Sequence, residues 1–266
     1  MITQHTVRPA AVAGTFYPGA EQELSATVNR LLNDAAGDPH VALTPKALIA
    51  PHAGYIYSGA VAAHAYHLLQ HRADVIERVV MAGPAHRAYV DGMAFPSVDA
   101  FATPLGEVPL DQQSIAAALQ LPETQVDDGA HTLEHCLEVQ LPFLQMTLQQ
   151  FTLVPFLVGQ CSAAAVARVL EALWGGEETL VVVSSDLSHF LPYPEANVRD
   201  QSTTRKIENH DTHLVGEEAC GAYAINGLMQ CRPARALPVH TLRLGNSGDT
   251  AGDRSRVVGY GAYALA

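Results

Sequence analysis

Short runs of consecutive apolar residues recur along the chain, with amphipathic segments between most of them. Runs that are apolar throughout, rather than at alternate positions, predict strands buried on both faces, as in a helix-covered sheet. The runs lie at 46–50, 78–83, 151–159, 179–185, 236–244 and 256–265. Among the intervening segments, the clearest helix pattern is at 19–35, where four apolar residues share one face: Leu24, Val28, Leu31 and Leu32. Strands that alternate with helices predict an α/β fold with a largely parallel sheet.

The chain has 266 residues, which is enough to bury a large core. No repeat, low-complexity tract or linker interrupts the pattern, so we expect one domain spanning 1–266. The Pro- and Gly-rich stretch at 92–109 is more typical of a long loop or a hairpin than of a domain boundary.

Charge and composition exclude several classes of function. The net charge of −12 argues against nucleic acid as a partner, because binding it needs a basic surface. The first residues lack the basic and apolar regions of a secretory signal, and no window approaches the roughly 20 apolar residues of a membrane span. The four cysteines show no CxxC spacing. We therefore expect a protein of the reducing cytoplasm that has no membrane segment.

Polar side chains that can bind or catalyse follow four of the predicted strands. They are His52, then His86, then Asp186 with His189, and finally Asn246, Ser247 and Asp249. In open α/β sheets, ligands bind beyond the carboxyl ends of the strands, where the connecting loops converge. Loops are often polar without having a function, but four strand ends with the same chemistry favour one common site.

The residue types at these strand ends are typical of a metal site. Two histidines and an oxygen ligand suit non-haem Fe(II), with positions left open for substrate and dioxygen. The same set with a bound water suits catalytic zinc equally well. Asp186 and His189 are three residues apart, and such a pair can orient an imidazole for general acid–base work.

Three other motifs are weaker candidates. The segment HTLEH matches the HxxEH pattern of a peptidase family, in which His131 and His135 would bind zinc and Glu134 would be the general base. The segment GYGAYA at 259–264 has the form of a dinucleotide-binding loop, but no helix follows it. Cys220 starts a predicted helix, whose dipole would lower the thiol pKa; we interpret it instead as a small buried packing residue.

Several longer motifs are spread over the chain. They are AGTFYPG (13–19), IAPHAGYIYSG (49–59), AGPAH (82–86), EHCLEVQLPFLQ (134–145), SSDLSHF (184–190), ACGAYAI (219–225) and GNSGDTAGDRSRVVGYGAYAL (245–265). Together they resemble the motifs of the Memo-like proteins, also called AmmeMemoRadiSam system protein B in bacteria and archaea, and the resemblance runs over nearly the whole chain.

The resemblance implies a fold and a set of site residues. The family looks like the LigB-type class III extradiol dioxygenases, which implies a three-layer α/β sandwich with a parallel or mixed central sheet covered by helices. Its motif histidines fall on His52 and His86, and its acid–histidine pair falls on Asp186 and His189, where the histidine would be the acid–base catalyst. Animal members have a cysteine near Asp249 or Thr250; our hypothesis is that Asp249 replaces it as third ligand. Residues expected to line the pocket are Tyr55, Tyr57, Glu134, His135, Cys136, Asn246 and Thr250.

The expected function is therefore metal binding, with Fe(II) first and zinc or copper as alternatives. As an enzyme the protein would be an oxygen-dependent oxidoreductase acting on a small diol-like molecule. The alternative is a non-catalytic module that binds a metal or peptide. A zinc-dependent hydrolase is the third candidate function. The system name implies a radical-SAM protein as partner, and a homodimer is the default expectation.

Overall fold

A mixed β-sheet organises the chain, and the computed structural model describes residues 5–37 and 42–266. The strands are β1 Val7–Arg8, β2 Ala47–Ala50, β3 Arg78–Pro84, β4 Met93–Phe95, β5 Ala100–Thr103, β6 Gly106–Pro109, β7 Thr124–Val126, β8 Thr152–Val158, β9 Thr179–Ser184, β10 His189–Leu191, β11 Val239–Asn246 and β12 Val257–Leu265. The helices are α1 Glu21–Asp34, α2 Ala60–His67, α3 Gln112–Ala118, α4 Asp128–Thr132, α5 Leu141–Thr147, α6 Ala163–Leu173, α7 Tyr193–Glu208 and α8 Ala222–Gln230.

The main sheet is parallel in its centre and antiparallel towards its edges. Its order in the described residues is β10-β12-β2-β9-β3-β8-β4-β7, and β11 pairs with β12 on the side away from β2. The neighbours β2, β9, β3 and β8 all run in the same direction. A small separate sheet has the order β1-β5-β6. The carboxyl ends of β2, β9 and β3 are therefore side by side.

Helices form two groups on this sheet. Helices α1, α2 and α5 pack on one another and on the β2–β12 part of the sheet, whereas α3, α6 and α8 pack around β3, β8 and β9. A Cβ atom on Gly227 of α8 would lie 2.3 Å from Val166 of α6, so only glycine permits this close helix contact. The predicted α/β class, a three-layer arrangement with a mixed central sheet, is confirmed.

The six predicted strands are all present, with ends shifted by three residues or fewer. The stretch 92–109 contains β4 and an antiparallel hairpin of β5 and β6, in agreement with the hairpin expectation.

Helix α7 was not predicted, because its buried face includes polar residues such as Asp200 and Thr204, which hide the 3.6-residue period. Among residues 5–37 and 42–266, no helix combines the length and the apolar character needed to cross a bilayer.

Candidate functional site

Three neighbouring parallel strands deliver the first site residues. His52 comes two residues after β2, Asp186 two residues after β9 and His86 two residues after β3. Because β9 lies between β2 and β3, these side chains meet at one edge of the sheet. We call His52, His86, His135, Asp186, His189 and Cys220 the strand-end cluster.

The ring of His52 is held in one tautomer by its neighbours. It is buried, with 2% of its surface exposed, and Nδ1 lies 2.9 Å from the Ser184 hydroxyl oxygen. That hydroxyl already donates its proton to the Cys136 carbonyl at 2.6 Å, and the Gln140 amide donates to it at 2.8 Å. Nδ1 must therefore be the donor to Ser184, which leaves a lone pair on Nε2. Burial also lowers the pKa of His52 well below its usual value, so the ring is neutral.

His86 is held by Glu134 in the same manner. Nδ1 of His86 lies 3.0 Å from one carboxylate oxygen of Glu134, and the backbone N–H of His86 donates to the other at 2.6 Å. Burial raises the pKa of Glu134, but hydrogen bonds and charge from His86, with the backbone N–H of Cys136, outweigh it and lower the pKa to about 2. The carboxylate is ionised and accepts only, so Nδ1 of His86 is the donor, and in the neutral ring Nε2 carries the lone pair.

His135 completes a group of three imidazole rings. Its ring lies 5.0 Å from that of His86, nearly parallel to it, and 5.5 Å from that of His52; the rings of His52 and His86 are 5.1 Å apart. Phe16 packs against the other side of His135 at 4.7 Å. Burial lowers the pKa of His135 to about 4. Its Nδ1 is buried and lies 3.3 Å from a carboxylate oxygen of Glu134, without the geometry of a hydrogen bond.

Asp186 and His189 are both at the site, but they do not bond to each other. Asp186 accepts the backbone N–H of His52 at 2.7 Å, and burial raises its pKa to about 7. His189 donates from Nδ1 to the carbonyl of Leu187 at 2.9 Å, and burial lowers its pKa. The strand pairing is irregular between His189 and Leu191, with Phe190 at a φ of 60°. Such bulges redirect side chains, and this one leaves His189 partly buried beside an exposed Phe190.

Cys220 belongs to the cluster, whereas the sequence favoured its interpretation as a small buried packing residue. Its Sγ lies 3.3 Å from Nε2 of His52 and accepts the backbone N–H of Asp186 at 3.3 Å. A Cβ atom on Gly221 would lie 2.7 Å from Ser185, so glycine allows this segment to approach the end of β9. Burial raises the pKa of Cys220 to about 12, and the alternative of a thiol pKa lowered by a helix is wrong. The helix α8 begins only at Ala222.

Two sets of donor atoms in the described residues are close enough to hold one metal ion. In each set one donor atom per residue lies within 4.8 Å of the others. The first set is His52, His86 and Cys220, and the second is His86, Glu134 and Cys136. The thiol of Cys136 is buried and donates to the carbonyl of Pro84 at 3.1 Å.

The residues Asn246–Thr250, which we call the C-terminal turn, form a unit of their own. Asp249 is exposed; its carboxylate accepts the Tyr193 hydroxyl at 2.6 Å and the backbone N–H of Asn246 at 2.9 Å. Thr250 is also exposed and donates to the carbonyl of Ser247. In the sheet, β11 lies two strands away from β2, and neither of the two donor sets found among the described residues includes Asp249.

The two predicted pocket tyrosines differ in position. Tyr55 is buried against Phe143 and donates to the carbonyl of Val139, so it faces the helix layer. Tyr57 is half-buried. Its ring lies beside Gly54, because a Cβ atom added to that glycine would be 3.8 Å from a ring carbon of Tyr57. Both lie in the single π-helical turn Tyr55–Gly59 that connects the end of β2 to α2.

The HxxEH motif does not form a peptidase site. His131 lies in α4, with Nε2 2.9 Å from the Ala94 carbonyl and only 2% of its surface exposed. His135 follows the end of that helix, so the two histidines do not share one helical face. The other glycine-rich motif, at 259–264, is part of β12.

The N-terminal segment closes over the residues that support the cluster. Arg8 forms a buried ion pair with Glu138 at 2.8 Å and donates to the carbonyls of His131 and Glu134. The Glu138 carboxylate also accepts the Tyr17 hydroxyl at 2.6 Å and two backbone N–H groups, at positions 11 and 12. The N-terminal segment therefore holds the segment 131–138, which carries Glu134 and His135, in place.

Comparisons with known proteins agree with this structure. The profile of the Memo-like protein family matches residues 8–264. A MEMO1 family protein from Aquifex aeolicus is 37% identical over 267 residues, covering 96% of this chain and 97% of its own. Proteins of the same description from Ignicoccus hospitalis and Archaeoglobus fulgidus are 37% and 33% identical, over the same shares of both chains.

A solved structure shares the fold at low sequence identity. It is the crystal structure of an uncharacterized protein from Escherichia coli K12, with a TM-score of 0.54 and 15% identity, covering 83% of this chain and 99% of that one. The fold and the cluster define an α/β protein with a histidine-rich site at the carboxyl ends of three parallel strands. The chain belongs to the Memo-like protein family.

Proposed function

We propose that this Memo-like protein binds a non-haem metal ion, with iron(II) as the first candidate, through His52 and His86. The observation that carries the proposal is that Nδ1 of both rings is held by a protein acceptor, Ser184 in one case and Glu134 in the other. Metal-binding histidines generally have their second nitrogen held in this way. The Nε2 atoms are then the nitrogens left for a ligand.

The residues at the site fit an ion of this kind. Imidazole nitrogens suit iron, zinc and copper, and neutral histidine is the form that binds them. Burial keeps His52 neutral by lowering its pKa. The first donor set, within 4.8 Å, is compact enough to surround a single ion. Zinc and copper are therefore alternatives to iron in the same place.

As an enzyme, the protein would be an oxygen-dependent oxidoreductase of the extradiol-dioxygenase type. Bound iron would supply Lewis-acid and redox chemistry towards a vicinal diol-like substrate and dioxygen, for which two histidines leave open positions. His189 donates from Nδ1 to Leu187, so its Nε2 is the basic nitrogen, and it would accept the proton of a substrate hydroxyl. Asp186 would hold the His52 backbone in place through its hydrogen bond.

A second candidate function is a non-catalytic module that binds a metal or a peptide and acts with a radical-SAM partner. One observation favours it: large apolar side chains next to site residues in the sequence are exposed to solvent. Ile56 is 68% exposed, Leu133 65% and Phe190 61%. Apolar side chains that are exposed together in one patch are typical of surfaces that bind another molecule.

Metal analysis of protein purified without oxygen tests the proposal. We expect about one iron per chain after reconstitution with Fe(II), and loss of most of it in His52→Ala and in His86→Ala. The matched control is His213→Ala, because that imidazole is exposed and lies outside the cluster. Oxygen uptake with catechol-like diols, measured on the same iron-loaded samples, tests the reaction.

The outcomes separate the candidate functions. Iron retained equally in His52→Ala, His86→Ala and His213→Ala would contradict the proposed site. Iron bound at the site without oxygen uptake on any diol would favour the binding module. Zinc retained in place of iron, with hydrolysis of a test ester or peptide, would favour a zinc-dependent hydrolase.

A further inference from the structure

We infer that Gln140 is a positioning residue of the proposed metal site, an inference that rests on the proposed function. Without being a ligand itself, it holds His52 in the orientation in which that ring can bind a metal. Gln140 directly precedes α5, and only 1% of its surface is exposed. Its amide bonds to Tyr66 on one side and to Ser184, the acceptor of His52, on the other. We call Tyr66, Gln140, Ser184 and His52 the polar chain; all four are buried.

Only one orientation of the Gln140 amide satisfies its neighbours. Its nitrogen Nε2 lies 3.0 Å from the carbonyl oxygen of Pro51 and 3.4 Å from that of Ala50. Carbonyl oxygens only accept hydrogen bonds, so the NH2 group must be on this side. Oε1 then faces Tyr66, whose hydroxyl donates to it at 2.7 Å. Gln140 is therefore a donor of hydrogen bonds towards the site.

These hydrogen bonds hold both supports of His52. One N–H goes to the carbonyl of Pro51, the residue directly before His52 in the chain. The other goes to the hydroxyl of Ser184 at 2.8 Å, and that hydroxyl accepts Nδ1 of His52 at 2.9 Å. Because Pro51 follows β2 and Ser184 ends β9, Gln140 ties two strand ends together. One side chain thus fixes the backbone before His52 and the acceptor of its ring.

The hydroxyl of Ser184 uses its full hydrogen-bonding capacity. It donates to the carbonyl of Cys136 at 2.6 Å and accepts from Gln140 and His52. The bonds to Cys136 and Gln140 keep Oγ in the rotamer that faces Nδ1 of His52. Without Gln140 the hydroxyl can rotate away, and Nδ1 then loses the acceptor that keeps the proton there. A proton on Nε2 would block the nitrogen that is left for a metal.

Tyr66 extends the polar chain into the helix layer. Its ring stacks on Phe143 of α5 at 5.1 Å, and its hydroxyl fixes the oxygen end of the Gln140 amide. Tyr55 offers a comparison within the same layer. It is also buried against Phe143, at 5.0 Å, but its hydroxyl donates to the carbonyl of Val139. The two tyrosines therefore differ in whether the hydroxyl supports Gln140.

Nitrogen NMR of the histidine rings in the metal-free protein, at about pH 8 where imidazole is neutral, tests this inference together with anaerobic cobalt(II) titration. We expect one His52 tautomer, protonated on Nδ1, in the wild-type protein; His52→Ala assigns its signals. Gln140→Met keeps the size of the side chain and removes both N–H donors. It should populate both tautomers and weaken cobalt binding about 10- to 100-fold. Tyr66→Phe should change both readouts in the same direction by a smaller amount. Tyr55→Phe, the matched control, should change neither.

The outcomes separate the inference from the proposed function. A single Nδ1-protonated tautomer or wild-type cobalt affinity in Gln140→Met would each overturn the role of Gln140. Equal changes in Tyr66→Phe and Tyr55→Phe would assign the effect to packing and overturn it as well; this pair decides the question if Gln140→Met does not fold. If the wild-type protein binds no cobalt, iron or zinc, the proposed function fails. The tautomer measurement needs no metal, so it still decides whether Gln140 positions the ring.

Discussion

The strand-end cluster and the C-terminal turn have similar sequences but different surroundings. Both follow an apolar strand and both present an acidic side chain two or three residues after it. Asp186 is buried at the end of β9, where it touches the backbone of His52. Asp249 follows β11, at the far side of β12, and is exposed. The position of a strand within the sheet therefore decides whether the side chains at its end are buried or exposed.

This difference has an electrostatic consequence. Burial raises the pKa of Asp186 to about 7, and burial raises the pKa of Cys220 to about 12. The carboxylate of Asp249 is surrounded by water and by its own turn, where screening weakens every charge interaction. Substitutions in the two regions should therefore differ in kind: those around the cluster should affect metal binding or the whole fold, and those in the turn should affect only local stability.

The largest effect is expected from the support beneath the cluster. Glu138→Ala leaves the Arg8 guanidinium buried without its partner, which typically costs about 3–5 kcal/mol of unfolding free energy. It also removes the acceptor of the Tyr17 hydroxyl. Urea unfolding followed by circular dichroism measures the loss. The control is Glu217→Ala at an exposed position, which should change stability by less than about 0.5 kcal/mol.

An intermediate effect is expected for the residue that orients His86. Glu134→Gln removes the ionised acceptor of Nδ1 while keeping the size of the side chain, and metal affinity should fall about 10- to 100-fold. Anaerobic titration with Fe(II) or Co(II) measures the affinity. Asp249→Asn makes the same change of acid to amide in the C-terminal turn and should leave the metal affinity unaltered. Equal losses in the two variants would remove the distinction between the two regions.

The smallest effect is expected in the turn itself. Asp249→Ala removes the acceptor of the Asn246 backbone N–H, one half of a capping box, and the partner of the Tyr193 hydroxyl. Loss of such a cap costs about 1 kcal/mol of unfolding free energy. Thermal unfolding measures this cost, and metal titration of the same variant should match the wild-type protein. A weakened metal affinity would restore Asp249 as a ligand.

The strands and most residues of the strand-end cluster could be predicted from the sequence. His52, His86, Asp186 and His189 follow continuous apolar runs, and parallel strands bring their carboxyl ends together, so their convergence follows from the pattern. The order of strands is not contained in that pattern. For this reason the pattern alone could not show that the C-terminal turn, which follows an equally apolar run, lies beyond β12.

Cys220 was missed for a related reason. It is 168 residues from His52 in the chain and follows no apolar run. The signal that was available is Gly221, whose missing Cβ permits the approach to Ser185, but a glycine after a cysteine has many explanations in a sequence. Helix α7 shows the same limit, because its buried polar residues can be interpreted only once their partners are known.

The position of β9 between β2 and β3 also determines how the chain can fold. Among the parallel strands of the centre, β2 and β3 are consecutive in the chain, yet their edges that face each other cannot pair until β9, residues 179–184, has been synthesised. A nascent chain that ends before them exposes two unpaired apolar strand edges, which are prone to aggregation. Contacts of such long sequence separation also slow folding. We therefore expect truncations that end before β9 to be insoluble, and the full-length chain to fold slowly after release from the ribosome.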